Sequence, residues 1–342
     1  QEQLSAFEAF VGEDGCLYLT DTIVLRLVMG KEEREAGRLE EAKAYLEAVA
    51  NMQKFVKGIE QPEKVAARWD SLWTGAFRKL CAGKVPYEDI GWADEKVREA
   101  IVWQIKGTQR HALVAREEVM GVEALRISGA EEVGSFGDFR YIPDLHSLSV
   151  SYREPGEAEI SGFLGQLPLL PDLTGLEIRN AGLQDLSFAE NMAGLEELVL
   201  DGGEIRDISP LAGCTELRRL QLTGGKISDV TPLAGLHKLE YLVLDGNEVE
   251  NLEGLGTLEN LAYLDIAHNQ VEDLSPLAGM GQLEELYAGD NRIMDITPLK
   301  EMNKLRCLSL SGNRIEDISV LAQMRELVYL RTEDNRIEDM PR

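Results

Sequence analysis

The chain lacks the short motifs that most enzymes and metal sites carry. It has no glycine-rich phosphate loop, no paired-cysteine motif and no His-x-x-x-His spacing, and its 4 histidines are scattered along 342 residues. Its 4 cysteines are too few and too widely spaced to indicate a disulfide framework. We therefore expect no catalytic residues, no metal site and no cofactor. Each histidine is interpreted as structural or solvated.

Long apolar runs are also missing. A transmembrane helix needs about 20 mostly apolar residues, and the nearest stretch, residues 16–30, is interrupted by Asp21 and Arg26. No transmembrane segment is predicted. The chain starts at Gln1 rather than at methionine, so either a leader has been removed or the sequence has been trimmed, and the first alternative favours export. Cys16 and Cys81 form either a disulfide or two thiols, and Cys214 and Cys307 are expected to be free.

Basic residues are few compared with acidic ones. The chain has 35 Lys and Arg against 61 Asp and Glu, a net charge of −26. Most of the imbalance lies in residues 122–342, which hold 40 acidic and 18 basic residues, a net of −22. Such a field repels nucleic acid and anionic membranes. The excess of acidic residues is consistent either with a well-hydrated surface or with binding of a basic partner.

The dominant feature that is present is a repeat. A period between 20 and 29 residues with the pattern L-x-x-L-x-L-x-x-N is the signature of leucine-rich repeats. Two looser copies lie at 122–127 and 145–150, and the wider gap before the third predicts an outward loop within 151–170. The regular copies open every 22 residues with Leu173, Leu195, Leu217, Leu239, Leu261, Leu283, Leu305 and Leu327.

Each part of the repeat has a physical role. Apolar and outward side chains alternate, as in a strand buried on one face. A pair such as Ser275-Pro276 then predicts a hydroxyl cap and a short 3₁₀ turn on the opposite side. Five strands end at an asparagine whose amide can bond backbone groups that turn the corner. The predicted structural ladder comprises Asn247, Asn269, Asn291, Asn313 and Asn335.

One repeat cannot bury its own leucines, so neighbouring copies must stack. The predicted fold class is an α/β solenoid preceded by an all-α N-terminal region. It is a leucine-rich repeat horseshoe with parallel strands on the concave face and short 3₁₀ or helical turns on the convex face. Residues 1–87 are assigned to a helical domain of unknown type and 88–121 to a helical N-terminal cap. Residues 122–342 hold about ten repeats, irregular at 122–172.

The outward strand positions form the predicted binding surface. Four of the chain's 9 tyrosines stand there, although such positions have no packing need for aromatic side chains. Tyrosine offers contact area and a polar tip, as interface anchors do, but aromatics also favour strands without any binding role. Both interpretations stay open. The predicted ligand-binding residues are Tyr241, Tyr263, Tyr287, Tyr329, Val243, Asp245, Asp265 and Glu285, and their acids favour a basic protein partner.

The segments DISPLAGCTELRRLQL (207–222) and DITPLKEMNKLRCLSL (295–310) resemble the repeats of bacterial internalins. WADEKVREAIVWQI followed by LVAREEVMGVEALRISG is similar to the N-terminal cap of that group. The resemblance covers about 89–342. It implies a non-enzymatic surface or secreted protein whose concave face holds another protein, and we expect the chain to be a monomer.

Two other functions stay open. The first is an intracellular scaffold or regulator, similar to the phosphatase-1 regulator built from 22-residue repeats, which would place the protein in the cytoplasm. The second is an enzyme with its activity in residues 1–85. A leader peptide in the encoded chain would favour export, and a pocket with clustered acid or base groups in 1–85 would favour the enzyme.

Overall fold

A computed structural model describes residues 92–107, 114, 116–154 and 157–337. The repeats belong to one compact unit, whereas residues 114–120 fall in another. The latter include a short helix, α2 (Arg116–Met120), which follows the first described helix, α1 (Glu95–Lys106), in the chain. The predicted helices before residue 92, the Cys16–Cys81 alternatives and His111 lie outside the described residues.

Ten parallel strands form one sheet in chain order, so each strand pairs with that of the next repeat. The register aligns equivalent positions, as in Leu242, Leu264 and Leu286. This confirms the predicted leucine-rich repeat solenoid. The strands are β1 (Ala124–Ser128), β2 (Ser147–Ser151), β3 (Gly175–Leu183), β4 (Glu197–Gly203), β5 (Arg219–Thr223), β6 (Tyr241–Val243), β7 (Tyr263–Asp265), β8 (Glu285–Tyr287), β9 (Cys307–Ser309) and β10 (Tyr329–Arg331).

The inward leucines of successive repeats form the core. Leu242, Leu264, Leu286 and Leu308 are all fully buried. Adjacent strands lie about 4.8 Å apart, so equivalent leucines pack directly on one another. Full burial of each such side chain contributes about 1.5–3 kcal/mol. The stacking that the repeat period predicts is therefore what holds the solenoid together.

Short 3₁₀ turns lie on the side opposite the strands in most repeats, as predicted. They begin after the corner that follows each strand and lead back to the next opening leucine. The 3₁₀ turns are Ala130–Glu132, Gly137–Tyr141, Leu167–Leu169, Ser187–Asn191, Ser209–Gly213, Thr231–Gly235, Leu255–Thr257, Ser275–Leu277, Thr297–Glu301 and Ser319–Gln323.

The predicted hydroxyl cap of these turns is wrong. Ser275 donates both its backbone N–H (2.7 Å) and its hydroxyl (2.6 Å) to the carboxylate of Asp273. Ser275 is the first residue of the turn, so its own N–H needs an acceptor from an earlier position. Its hydroxyl and then its N–H hold the pKa of Asp273 below its ordinary value. The same arrangement occurs at Asp185, Asp229 and Asp295.

The predicted outward loop at 151–170 contains a helix instead. Helix α3 (Glu157–Leu164) lies in the middle of this segment. Its Phe163 is fully buried and packs edge-on against Phe136 at 5.1 Å and Phe139 at 6.3 Å between ring centroids. The prediction of an outward loop is wrong because this aromatic side chain draws the insertion into the core.

Helix α1 (Glu95–Lys106) packs against β1. It begins after Asp94, whose carboxylate accepts the N–H groups of Lys96 and Val97, as the sequence predicts for an N-cap. The fully buried Asp138 accepts the N–H groups of Ala93 (2.7 Å) and Asp94 (2.9 Å) and so ties the start of α1 to the repeats. Helix α1 covers the first strand, and the assignment of 88–121 as one cap stays a prediction.

Candidate binding surface on the strand face

A buried asparagine follows each of the central strands. Asn269 donates its side-chain amide to the carbonyls of Leu244, Ile266 and Ala267 at 2.9–3.1 Å. Its carbonyl oxygen accepts the N–H of Val249 at 2.9 Å. One side chain thus ties its own repeat to the preceding one. The same pattern recurs at Asn247, Asn291, Asn313 and Asn335.

The corner before each asparagine is left-handed. Two of these five copies place glycine there, Gly246 and Gly312, both with φ of 69°. His268 and Asp290 occupy the same place with φ of 51°. Non-glycine residues are uncommon in this region because Cβ crowds the backbone. These two side chains therefore project from the strand ends at positions where glycine would be easier to accommodate.

Three tyrosines form a continuous aromatic ladder on the strand face. Tyr241 on β6 lies opposite Tyr263 on β7 in the sheet register, and their rings stack at 4.1 Å and 14°. Tyr287 on β8 leans against Tyr263 at 5.4 Å and 36°. All three side chains are half-buried. Stacked pairs of this kind contribute about 0.5–1.5 kcal/mol beyond area burial, so the ladder is a preformed platform.

A charged side chain contacts the tyrosine at each end of the aromatic ladder. The guanidinium of Arg219 lies 3.7 Å from the ring centroid of Tyr241 and pairs with Glu197 at 3.0 Å. At the other end, the hydroxyl of Tyr287 donates to Glu285 at 2.8 Å, which raises the pKa of Tyr287. Burial raises the pKa of Tyr263. The hydroxyls of Tyr263 and Tyr287 are therefore neutral donors at physiological pH.

A cluster of carboxylates borders the aromatic ladder at the strand ends. His268 bridges two of them, with Nδ1 2.7 Å from Asp245 and Nε2 3.2 Å from Asp290. The hydrogen bond to Asp245 raises the pKa of His268. Burial raises the pKa of Asp265. The sequence prediction that His268 is merely structural or solvated overlooked this cluster.

The family assignment rests on sequence and structural comparison together. The sequence model of the family described as "Leucine Rich repeats (2 copies)" matches residues 237–279, 259–301 and 281–323. Each of these windows starts one repeat after the previous one. The crystal structure of internalin C2 from Listeria monocytogenes is 30% identical, with 73% of this chain and 99% of that chain covered and a TM-score of 0.50. The chain belongs to the internalin family of leucine-rich repeat proteins.

Two further solved structures share this fold. Internalin InlF from Listeria monocytogenes is 26% identical, with 76% of this chain and 81% of that chain covered and a TM-score of 0.57. A leucine-rich repeat protein from Leptospira interrogans shares the fold at 22% identity and a TM-score of 0.57, covering 65% of this chain and 57% of that one. A comparison with curated protein sequences finds no match. The internalin fold is one that presents an extended surface to other proteins.

Not every predicted surface residue is accessible in this internalin fold. Val243 is only 6% exposed, because its short side chain lies between the longer Gln221 and Asp265 on the neighbouring strands. Tyr329 is 42% exposed on β10, where Arg331 lies 5.9 Å from its ring. Strand β9 separates it from the aromatic ladder. The predicted ligand-binding residues that are accessible and lie together on the strand face are therefore Tyr241, Tyr263, Tyr287, Asp245, Asp265 and Glu285.

Arg219 was missing from the predicted site. The sequence contained a signal for Arg219, because this residue occupies the same outward column as Tyr241 and Tyr263, one repeat before Tyr241. That register brings a guanidinium and an aromatic ring within reach of each other on adjacent strands, although it does not fix the contact. The two cysteines within the repeats are free, Cys214 buried and Cys307 half-exposed on β9.

The described residues offer no metal site and no membrane-spanning helix. Among them, no group of three or more His, Cys, Asp or Glu side chains is placed to hold a metal ion. None of their helices is long and apolar enough to cross a bilayer. A cavity of about 430 Å³ lies near Phe136 and Gln166, and none of its lining residues belongs to a strand. The strand face itself is therefore the strongest candidate surface.

Proposed function

We propose that this chain is a non-enzymatic protein-binding module that recognises its partner through the strand face. The observation that carries the proposal is the aromatic ladder of Tyr241, Tyr263 and Tyr287. These rings are ordered by one another rather than by a covering layer, and each retains accessible surface. A stacked tyrosine loses little further rotamer freedom on binding, which is the property of an interface anchor.

The charges around the aromatic ladder favour a basic partner. Asp245, Asp265 and Glu285 lie on or beside the same three strands as the tyrosines, and residues 122–342 carry a net charge of −22. A field of one sign steers an oppositely charged partner and weakens as salt is added. We expect capture to be strongest at low ionic strength and to involve lysine or arginine side chains of the partner.

We place the protein outside the bacterial cell or on its surface, acting as a monomer. Membership of the internalin family and the acidic surface support this location. Fractionation of the native organism tests it, with detection in the cytosol, envelope and medium. Recovery of the intact protein only from the cytosol would contradict export and favour the intracellular scaffold.

Partner capture tests the binding surface itself. Extracts of the envelope and of candidate host cells are passed over the immobilised wild type and over a Tyr241→Ser, Tyr263→Ser variant. The matched control is Glu216→Ser, Lys238→Ser, which removes an exposed ion pair between repeats. The proposal predicts that the tyrosine variant loses the captured protein and the control keeps it.

The stack gives the tyrosine variant a stability cost that must be separated from binding. Loss of the stacked pair is expected to reduce the free energy of unfolding by about 1 kcal/mol. For a domain of this size, that reduction lowers the melting temperature by a few degrees. A second variant, Asp245→Asn with Asp265→Asn, retains the aromatic ladder and removes two charges. It should weaken capture at low salt and leave the fold intact. Equal capture by wild type and both variants would contradict the proposal.

A further inference from the structure

His268 has carboxylates at both of its ring nitrogens. Nδ1 lies 2.7 Å from Asp245 and Nε2 lies 3.2 Å from Asp290, in the repeats on either side. A carboxylate accepts hydrogen bonds and cannot donate them, whereas a neutral imidazole has a single N–H. Both contacts are satisfied together only when the ring carries two N–H groups. The bridge is thus complete in the imidazolium form and half-lost in the neutral form.

The groups that face His268 are all acidic. Asp245 follows β6, Asp265 ends β7 and Asp290 follows β8, so the three adjacent repeats each supply one carboxylate. Among the described residues, no lysine or arginine forms an ion pair with any of the three. The imidazolium is therefore their local counter-ion. It competes for the same carboxylates that a basic partner would contact.

The position of His268 argues against an incidental surface residue. Its backbone lies in the left-handed region, with φ of 51°, where the preceding repeat has Gly246. Its side chain is 62% exposed, so apolar packing does not explain its presence at this corner. Asp290 and Asp334 occupy the equivalent corner of later repeats with φ of 51° and 57°, so the left-handed backbone is common to the repeat. What distinguishes His268 is that both of its ring nitrogens contact carboxylates, at the border of the proposed binding surface.

We infer that His268 makes the strand face a pH-dependent surface, which captures a basic partner more tightly as the pH rises and releases it on acidification. The inference rests on the proposed function, because it concerns the same surface. When His268 loses its proton, the cluster changes from a net charge of about −2 to about −3, and the ring can donate to only one of Asp245 and Asp290, so that the other carboxylate is freed. A partner's lysine or arginine then replaces the internal cation.

The direction of the titration follows from the contacts. The hydrogen bond to Asp245 raises the pKa of His268 above its ordinary value. A raised pKa stabilises the folded state below the ordinary value of about 6.5, and that stabilisation is lost as the pH rises through the raised pKa. Acidification should thus strengthen the internal bridge while it weakens capture of a basic partner. These opposite signs distinguish the proposed competition from general acid unfolding.

A defined probe tests the inference with the full chain. A fluorescein-labelled oligolysine peptide is titrated with protein between about pH 5.5 and about pH 8.5, a range that spans histidine titration. The dissociation constant is read from fluorescence anisotropy at constant ionic strength. We expect it to rise about two- to fivefold in wild type on acidification, the size of one exposed charge contact.

Three variants make the result specific to His268. His268→Gln should bind with the tight, high-pH affinity throughout, and His268→Lys should bind weakly throughout. The matched control is His146→Gln, at another exposed histidine, which should retain the wild-type pH dependence. An unchanged pH dependence in His268→Gln would overturn the inference. Failure of wild type to bind the peptide at any pH would also overturn it.

A separate readout keeps the two proposals distinguishable. The imidazole signal of His268, assigned by its absence in His268→Gln, is followed by NMR as the pH changes. The inference requires a midpoint above the ordinary histidine value, and a lower midpoint in Asp245→Asn. Failure of the proposed function would appear instead as undiminished partner capture by the Tyr241→Ser, Tyr263→Ser variant at every pH.

Discussion

Replacement of Asn291 by alanine tests the interior of the repeats. The Asn291 side chain is 7% exposed, and its carbonyl oxygen accepts the N–H of Val271 at 2.9 Å. Its amide donates to Ile266, Ala288 and Gly289 at 2.8–3.3 Å. Alanine removes all of these bonds at once without altering the leucine core.

The expected cost follows from which groups lose their sole partner. The carbonyl of Ile266 retains the amide of Asn269, and that of Ala288 retains Asn313. Only the buried N–H of Val271 is left without an acceptor. An unsatisfied buried group costs about 1–3 kcal/mol, so we expect Asn291→Ala to lower the free energy of unfolding by that amount.

The matched comparison is Asn335→Ala. Asn335 makes the equivalent bond to Ile315 N–H at 3.0 Å but is only half-buried, so water can replace its amide. The expected cost there is below about 1 kcal/mol. Urea unfolding measures both variants, and a slope of about 3 kcal/mol/M converts the Asn291 cost to a midpoint shift of about 0.3–1 M. Circular dichroism and fluorescence should give coincident transitions. Equal shifts for the two variants, or none for Asn291→Ala, would refute the reasoning.

Further predictions follow from individual contacts. Asp138→Ala should cost about 1–3 kcal/mol in urea melts, because two N–H groups at the start of α1 lose a buried acceptor. A chain that begins at Gly121 should aggregate or melt earlier than the full chain, since β1 loses the cover of α1. Gly256→Ala should destabilise by about 1–3 kcal/mol, because a Cβ would lie 2.4 Å from the carbonyl oxygen of Pro276, whereas Gly235→Ala meets nothing within 4 Å and should be neutral in thermal melts. His268→Gln should remove a stabilisation that wild type shows below about pH 6.5, measured by melts across pH.

The repeat architecture could be predicted because its signal is written many times. The alternation at Leu264 and Ile266, repeated every 22 residues, fixes which side chains face inward. Because neighbouring strands are in register, the columns of outward residues follow from the same count. The insertion in residues 151–170 lacks this redundancy. Its outcome depends on one long-range contact of Phe163 with Phe136, which no local pattern indicates.

The candidate surface was predicted less completely, for a geometric reason. Column counting identifies Tyr241 and Tyr263 as neighbours, but it does not show that Arg219 turns over the Tyr241 ring. It also does not show that the His268 side chain lies between the carboxylates of two other repeats. These side-chain orientations depend on rotamers and on the corner dihedrals at each strand end. The burial of Val243 has the same origin, since only the neighbouring side chains decide it.

Site-specific photocross-linking tests the central claim most directly. A photoreactive phenylalanine analogue replaces Tyr263 at the centre of the aromatic ladder, or Lys300 in the 3₁₀ turn Thr297–Glu301 on the opposite side. Each protein is irradiated with the captured partner, and cross-linked peptides are identified by mass spectrometry. A cross-link from position 263 and none from position 300 is the predicted result. A cross-link from position 300 alone would contradict recognition through the strand face.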